Sequence, residues 1–295
     1  MGSSQSVDVP DQTGKTVLIT GANTGIGYHT AAIMGRAGAH VIVCARDEKK
    51  GVDAIEKLKI EAPKGTYEVG IVDLSSLASV KAFAKSIVDA DRAIDILINN
   101  AGIMAVPKRE LSKDGFEMQL ATNCLGHYAL TLLLLKSLQK RPGTRVVNVS
   151  SLVAKNGKRP NGETIEFVRN PPFNYEPMGV YSESKLLNLL FNNELARRCP
   201  ELTCVGVHPG VSDTGLFKHK WGWATWAFQK PEVGALASVK AAVDPSVKSQ
   251  DYCGAPGPKG PPEIIKMPRL AYDEPLAAEY WAAMETATGV VISKL

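Results

Sequence analysis

Short runs of β-branched and apolar residues recur along the chain, each followed by a longer segment whose apolar positions return every three or four residues. Thr16–Thr20 precedes Ile26–Ala37, His40–Cys44 precedes Glu48–Glu61, and Tyr67–Val72 precedes Leu77–Asp89. This is the alternation of consecutive strand–helix units. Further strands are predicted over Ile94–Ile98, Arg145–Val149 and Thr203–Val207, apolar along their length as strands covered on both faces are. The pattern predicts an α/β chain, doubly wound, with a mostly parallel sheet and helices on both faces, since right-handed crossovers set the helices against the sheet. Ligands of such a fold gather at the carboxyl ends of the strands, where the strand order reverses. A single domain over 13–295, after a flexible leader over 1–12, accounts for the 295 residues.

Two stretches break the rhythm. Lys155–Gly179 is rich in Pro, Gly and Asn, and Cys253–Arg269 contains Pro256, Pro258, Pro261 and Pro262. Irregular segments of that length in a compact domain usually carry a function or move, so the first is read as an inserted loop over 155–179.

Composition narrows the function classes. Hydrophobic residues make up 44% and charged residues 22%, which supports a substantial core and confines disorder to the ends. The net charge of +4 is thinly spread, and the basic pairs Lys49-Lys50 and Arg197-Arg198 fall on predicted helices. They read as solvated faces and not as a nucleic-acid surface. Five cysteines, Cys44, Cys124, Cys199, Cys204 and Cys253, show no C-x-x-C spacing, so neither zinc nor a disulfide framework is expected and a reducing, cytoplasmic compartment fits. The apolar run Leu132–Leu135 stops at Lys136, far short of the roughly 20 residues that span a bilayer. No transmembrane segment is expected. Met1-Gly2-Ser3-Ser4-Gln5-Ser6 fits the loose myristoylation pattern, which would attach a lipid anchor at Gly2; a polar leader is the alternative.

The first predicted strand runs into Gly21-Ala22-Asn23-Thr24-Gly25-Ile26-Gly27 and then a helix. A tight turn there delivers a diphosphate to the helix N-terminus. Gly21 permits the turn, Gly25 lets the backbone approach phosphate, and Gly27 allows close helix–strand packing. This is the dinucleotide-binding turn of a Rossmann fold. The second strand ends in Cys44-Ala45-Arg46, without the acidic residue that would bind a ribose 2′-hydroxyl. Arg46 instead suits a 2′-phosphate, predicting NADP(H), in practice NADPH; a surface arginine is the alternative. Asp73, followed by Leu74, is placed to accept from the adenine amino group, and Asn99-Asn100-Ala101-Gly102 sets small residues beside the cofactor.

Tyr181 and Lys185 lie four apart on a predicted helix, so both reach one substrate. An ammonium near a phenol contributes up to about 4 kcal/mol at an effective dielectric near 20, roughly three pK units. That would bring Tyr181 toward a useful acid–base range. The Y-x-x-x-K spacing alone is common and carries little.

Together, Thr20–Gly27, Asp73, Asn99–Gly102, Asn123, Ser150-Ser151, Tyr181-Ser182-Glu183-Ser184-Lys185 and Pro209-Gly210 resemble the short-chain dehydrogenase/reductase family in identity and order. The resemblance covers most of the chain. It implies that Ser151 holds the substrate oxygen, Tyr181 is the acid/base and Lys185 binds the nicotinamide ribose. It further implies that Asn123 supports a proton-relay water and that Thr214 holds the carboxamide. Ser151 is preferred over Ser150 because the family's serine is usually the second of such a pair. The runs Lys185–Phe191, Asn123-Cys124-Leu125-Gly126-His127 and His208-Pro209-Gly210 are similar to the retinol dehydrogenase and protochlorophyllide-reductase-like branch. Departures are a longer gap from Ser151 to Tyr181, Ser212 in place of a common valine, and no N-terminal membrane helix of the kind many retinol dehydrogenases have.

These features predict an oxidoreductase that interconverts a carbonyl and an alcohol on a bulky apolar substrate. Trp221, Trp223, Trp226 and Phe228 follow Thr214, where the family builds its lid, although such aromatics pack cores equally well. Phe167, Pro171, Pro172, Phe173, Tyr175 and Pro177 make the inserted loop apolar and stiff. Alternatives are reduction of a carbon–carbon double bond in a pigment-like ring, or a non-catalytic NADP(H)-binding sensor. A homo-oligomer is compatible with each.

Overall fold

The computed structural model describes residues 7–158, 175–212 and 229–292. Eight strands form one sheet: β1 (Thr16–Thr20), β2 (His40–Ala45), β3 (Thr66–Ile71), β4 (Ile96–Asn99), β5 (Arg145–Val149), β6 (Thr203–Val207), β7 (Tyr252–Gly254) and β8 (Glu263–Ile265). Their order is β3-β2-β1-β4-β5-β6-β7-β8. Every described pairing is parallel except that of β7 with β8. The order reverses between β1 and β4, which opens a crevice at their carboxyl ends.

Alternation along the strands divides the core between two faces. Val17 and Ile19 of β1, with Val41 and Val43 of β2, pack toward α1 (Gly25–Arg36), α2 (Glu48–Glu61) and α8 (Pro231–Val243). Leu18, Ile42 and Leu97 point the other way, toward α3 (Leu77–Asp89), α5 (Gly126–Leu133), α7 (Pro177–Arg198) and α9 (Glu274–Thr288). On that second face Trp281 of α9 stacks on Phe191 of α7 at 5.8 Å and meets Tyr128 of α5 edge-on at 5.2 Å. Local signals set the helix starts. The side chains of Asp47, Ser76 and Asp273 accept from the first turns of α2, α3 and α9, satisfying N–H groups the helices leave unpaired.

The structure departs from the sequence-based expectation in two places. Cys253–Arg269 is not irregular throughout, since β7 overlaps its start and β8 lies inside it. Each has three residues, too short for a period to show, and β7 is held by its register against β6, Gly206 with Tyr252 and Val207 with Cys253. Two short helices, α4 (Met118–Leu120) and α6 (Leu135–Leu138), flank α5. The end of the expected leader is fixed, with Gln12 fully buried and its N–H donating to Ala37 O at 2.8 Å.

Candidate active site

Strand β1 delivers Thr20 to a turn in which Gly21 and Gly25 take φ of +64° and +60°, the left-handed region that suits glycine. A Cβ on Gly27 would lie 2.5 Å from both Gly21 O and Asn100 Nδ2, so the helix can lie this close to the strand end only without a side chain there. Asn100 returns from β4 to hold the turn, its Nδ2 donating to Thr20 O at 2.7 Å and its N–H to Thr20 Oγ1 at 2.8 Å.

Beside this turn lies a cleft of about 660 Å³. Gly21, Asn23, Thr24, Gly25, Ile26 and Gly27 line it from the turn, and Asn100, Ala101 and Gly102 from the end of β4. On the β2–β3 side it is walled by Arg46, Asp47, Lys50, Asp73 and Leu74, and on the β5–β6 side by Ser150, Tyr181, Lys185 and Pro209. A positive-φ turn, a helix N-terminus and a bare glycine cradle suit the diphosphate of a dinucleotide. Lys50 reads in the sequence as part of a solvated helix face. Its position in the first turn of α2, directly after the end of β2, puts it on the cleft wall. Asp73 has one carboxylate oxygen engaged by the N–H and hydroxyl of Ser75. Gly210 follows Pro209 with φ of +67°. Thr214, the aromatics Trp221, Trp223, Trp226 and Phe228, and most of the inserted loop including Phe167, Pro171, Pro172 and Phe173 lie outside the described residues.

Tyr181 and Lys185 come from α7, which Glu176 caps by accepting from Met178 N–H and Gly179 N–H and which Pro177 opens. Pro177 lacks an N–H that would have gone unpaired there. Tyr181 and Lys185 are 7% and 3% exposed, and Lys185 Nζ sits 5.8 Å from the centroid of the Tyr181 ring. The nearby Ser151 hydroxyl draws the pKa of the Tyr181 phenol down, but burial dominates and pushes it up to about 12, while the Ser151 Oγ accepts from Val153 N–H at 3.4 Å. Burial lowers Lys185 to about 8, and its Nζ donates to Val149 O at 3.0 Å. Burial, and not the ammonium, sets the direction of the Tyr181 shift, opposite to the downward pull expected from the sequence. Ser150 touches the cleft, yet its hydroxyl donates to Lys185 O at 2.6 Å.

Asn123 lies in a π-type turn, Ala121–Leu125, a distortion common at functional sites. Its Oδ1 accepts from Ile103 N–H at 2.9 Å, and its Nδ2 donates to Ile103 O and to Ser184 Oγ, each at 3.0 Å. A Cβ on Gly102 would lie 3.3 Å from Asn123 Oδ1 and 3.4 Å from Lys185 Nζ, which places the two side chains side by side.

A family model of the short chain dehydrogenases matches residues 15–162. The chain is 38% identical to retinol dehydrogenase 14 of Mus musculus over 94% of its own length and 87% of that protein's. The chain belongs to the short-chain dehydrogenase/reductase family. It is also 39% identical to retinol dehydrogenase 11 of Homo sapiens, over 78% of this chain and 73% of that one, which sets it in the retinol dehydrogenase-like branch. Among solved structures, an uncharacterized protein from Mycobacterium Paratuberculosis superposes with a TM-score of 0.81 at 38% identity, covering 97% of each chain. This short-chain dehydrogenase is thus an oxidoreductase of a family that uses a nicotinamide cofactor. No helix among the described residues is long and apolar enough to cross a membrane.

Sequence reasoning gave no role to Glu117, His127 and His208, three buried polar residues around the site of this dehydrogenase. Glu117 is fully buried, accepts from Leu120 N–H at 2.8 Å, and has its pKa raised by burial. Tyr175 donates to Val106 O at 2.8 Å and lies 3.4 Å from Glu117 Oε1, so the end of the inserted loop is tied to the segment after β4. His208, fully buried, accepts from Gly210 N–H through Nδ1 at 3.2 Å. His127, buried beneath the glycine turn, had one signal in the sequence: it lies four residues after Asn123 on a helical segment.

Proposed function

We propose that this chain is an NADP(H)-dependent enzyme that reduces a carbonyl of a bulky apolar compound to the alcohol, or runs the reverse. One observation carries the reading. The Tyr181 phenol, with Ser151 beside it, and the buried Lys185 stand at one end of a glycine-floored cleft whose other end carries the cations of Arg46 and Lys50. A second cation beside Arg46 fits a 2′-phosphate better than a ribose hydroxyl, since neither residue can accept a hydrogen bond.

The glycine turn, Arg46 and Lys50 would hold NADPH along this cleft, where it would supply a hydride for the carbonyl carbon. Tyr181, kept protonated by its burial, donates its phenolic proton to the carbonyl oxygen. Ser151 would support the same oxygen through its hydroxyl, and Lys185 would hold the nicotinamide ribose. Solvent returns one proton to Tyr181, so the balance is carbonyl, NADPH and a proton to alcohol and NADP. Asn123 braces Ile103 and Ser184 around these groups. Half-buried Ile103 on the cleft wall supports an apolar substrate, and the names of the retinol dehydrogenase relatives agree with one. All five cysteines are unpaired and buried, which supports a reducing, cytoplasmic setting.

Incubation with NADPH or NADH and a panel of small and bulky aldehydes and ketones tests this directly. Cofactor oxidation with NADPH in clear preference to NADH, fastest on apolar carbonyls, is expected. Binding of NADPH without turnover of any carbonyl would leave a sensor, and a preference for NADH would remove the role of Arg46.

A further inference from the structure

The side chain of Asn123 has little left to offer a bound molecule, since both its N–H donors and one lone pair of Oδ1 are engaged by Ile103 and Ser184. Its backbone carbonyl is held as well. His127 Nδ1 lies 3.0 Å from Asn123 O, and a carbonyl only accepts, so Nδ1 carries the ring proton. His127 Nε2 lies 2.8 Å from Thr20 Oγ1. That oxygen already accepts from Asn100 N–H at 2.8 Å and Ala101 N–H at 3.0 Å. Its one proton therefore goes to Nε2, which is nearer than Ile98 O at 3.4 Å. The assignment closes without a conflict: two N–H groups into Thr20, Thr20 into the ring, the ring into Asn123.

One buried imidazole thus joins the end of β1 and the end of β4, both on the cleft wall, to the turn that carries Asn123. We propose that His127 is a positioning residue of this site, a neutral Nδ1–H imidazole that fixes the turn carrying Asn123 and, through Thr20, holds the Asn100–Ala101 backbone on the cleft wall. Burial and the charge of Lys185 both oppose a second proton on the ring, whose pKa falls to about 4. The proposal rests on the reading of the cleft as the NADPH site.

Three variants separate the two ends of the ring. His127→Asn keeps a donor for Asn123 O but cannot reach Thr20. His127→Gln reaches Thr20 with an acceptor and leaves Asn123 O without its donor, and His127→Leu loses both. The readouts are the NADPH dissociation constant from cofactor fluorescence, kcat at saturating NADPH, and the melting temperature. His127→Asn is expected to weaken NADPH about tenfold while keeping kcat within about threefold. His127→Gln is expected to lower kcat about tenfold with near-normal NADPH affinity, each change matching one lost buried hydrogen bond. Lower melting temperatures in all three with both constants unchanged would overturn the proposal and leave the ring purely structural.

If His127→Leu does not fold, Thr20→Val and its combination with His127→Asn replace it. The two share one hydrogen bond, so the double variant should lose no more NADPH affinity than Thr20→Val alone. Additive losses overturn the coupling. A wild-type protein that fails to bind NADPH overturns the cofactor reading itself, and that is seen before any variant is compared.

Discussion

Lys185 Nζ lies over the ring of Tyr181, 5.8 Å from its centroid, and is tied to Val149 O at 3.0 Å. Burial pushes the phenol up to about 12 and the ammonium down to about 8. Without cofactor, the ultraviolet phenolate signals of wild type and Tyr181→Phe should coincide up to about pH 11. A difference with a midpoint below pH 10 would show that the ammonium controls the phenol after all. The lysine also sets a stability trend. Its folded pKa of about 8 lies below the ordinary 10.5, so the unfolded chain binds more protons between those values and stability rises with pH across that window. The rise amounts to about 3 kcal/mol. Urea denaturation of Lys185→Met should lack it.

Cofactor choice should follow the two cations at the end of β2. Arg46→Ala removes a guanidinium suited to bidentate phosphate contact and should raise the Michaelis constant for NADPH about tenfold to a hundredfold, with little change for NADH. Lys50→Ala should act in the same direction by about fivefold, more weakly in high salt because its ammonium is exposed. Equal losses with both cofactors would place these residues on the diphosphate and not on the 2′-phosphate.

The adjacent serines should separate cleanly. Ser151 lies beside the Tyr181 phenol, whereas the Ser150 hydroxyl is spent on Lys185 O. Ser151→Ala should lower kcat about a hundredfold, the usual loss when a donor to a reacting oxygen is removed. Ser150→Ala should cost about 1 kcal/mol of stability with kcat within a few-fold. The reverse ranking in steady-state kinetics and urea melts would exchange their roles.

The sequence made the centre of the sheet legible because β1, β5 and β6 are short apolar runs between turn signals, and their limits coincide with those read from periodicity. β7 and β8 were hidden because three-residue strands owe their existence to a neighbour and not to their own pattern. At the site, Tyr181 and Lys185 were visible as an i, i+4 pair. Their titration was not, because burial is a property of everything packed around α7. Lys50 escaped for a similar reason, since a charge on the first turn of a helix reads as solvated until the strand end beside it is in place. Whether His127 faced solvent or Thr20 depended on a contact 107 positions away in the chain.

Acid should weaken the fold through histidines that are buried neutral. His208, like His127, is lowered by burial to about 4 from 6.5. Between those values the unfolded chain binds more protons, so stability falls as pH drops from 7 toward 5, by about 2 kcal/mol for each ring. His208→Gln should flatten the slope of unfolding free energy against pH by about half of what the pair contributes. An unchanged slope in that variant would mean that His208 takes up its proton as readily in the native protein as in the unfolded chain.

Gly27 offers the sharpest test of the cleft as a dinucleotide site. A methyl group there would stand 2.5 Å from Asn100 Nδ2 and from Gly21 O, and both lie in the arrangement that shapes the turn. Asn100 would have to give up its bond to Thr20 O, or α1 would have to move away from β1. Either response shifts the N–H groups of the helix start from the position where a diphosphate is bound. Gly27→Ala should therefore weaken NADPH binding by at least about tenfold and cost about 1–3 kcal/mol of stability, the usual range for an overpacked contact. Calorimetric titration with NADPH, alongside a urea melt, measures both. Wild-type affinity in a destabilised Gly27→Ala protein would show that the glycine serves helix packing alone and that the cofactor phosphates lie elsewhere in the cleft.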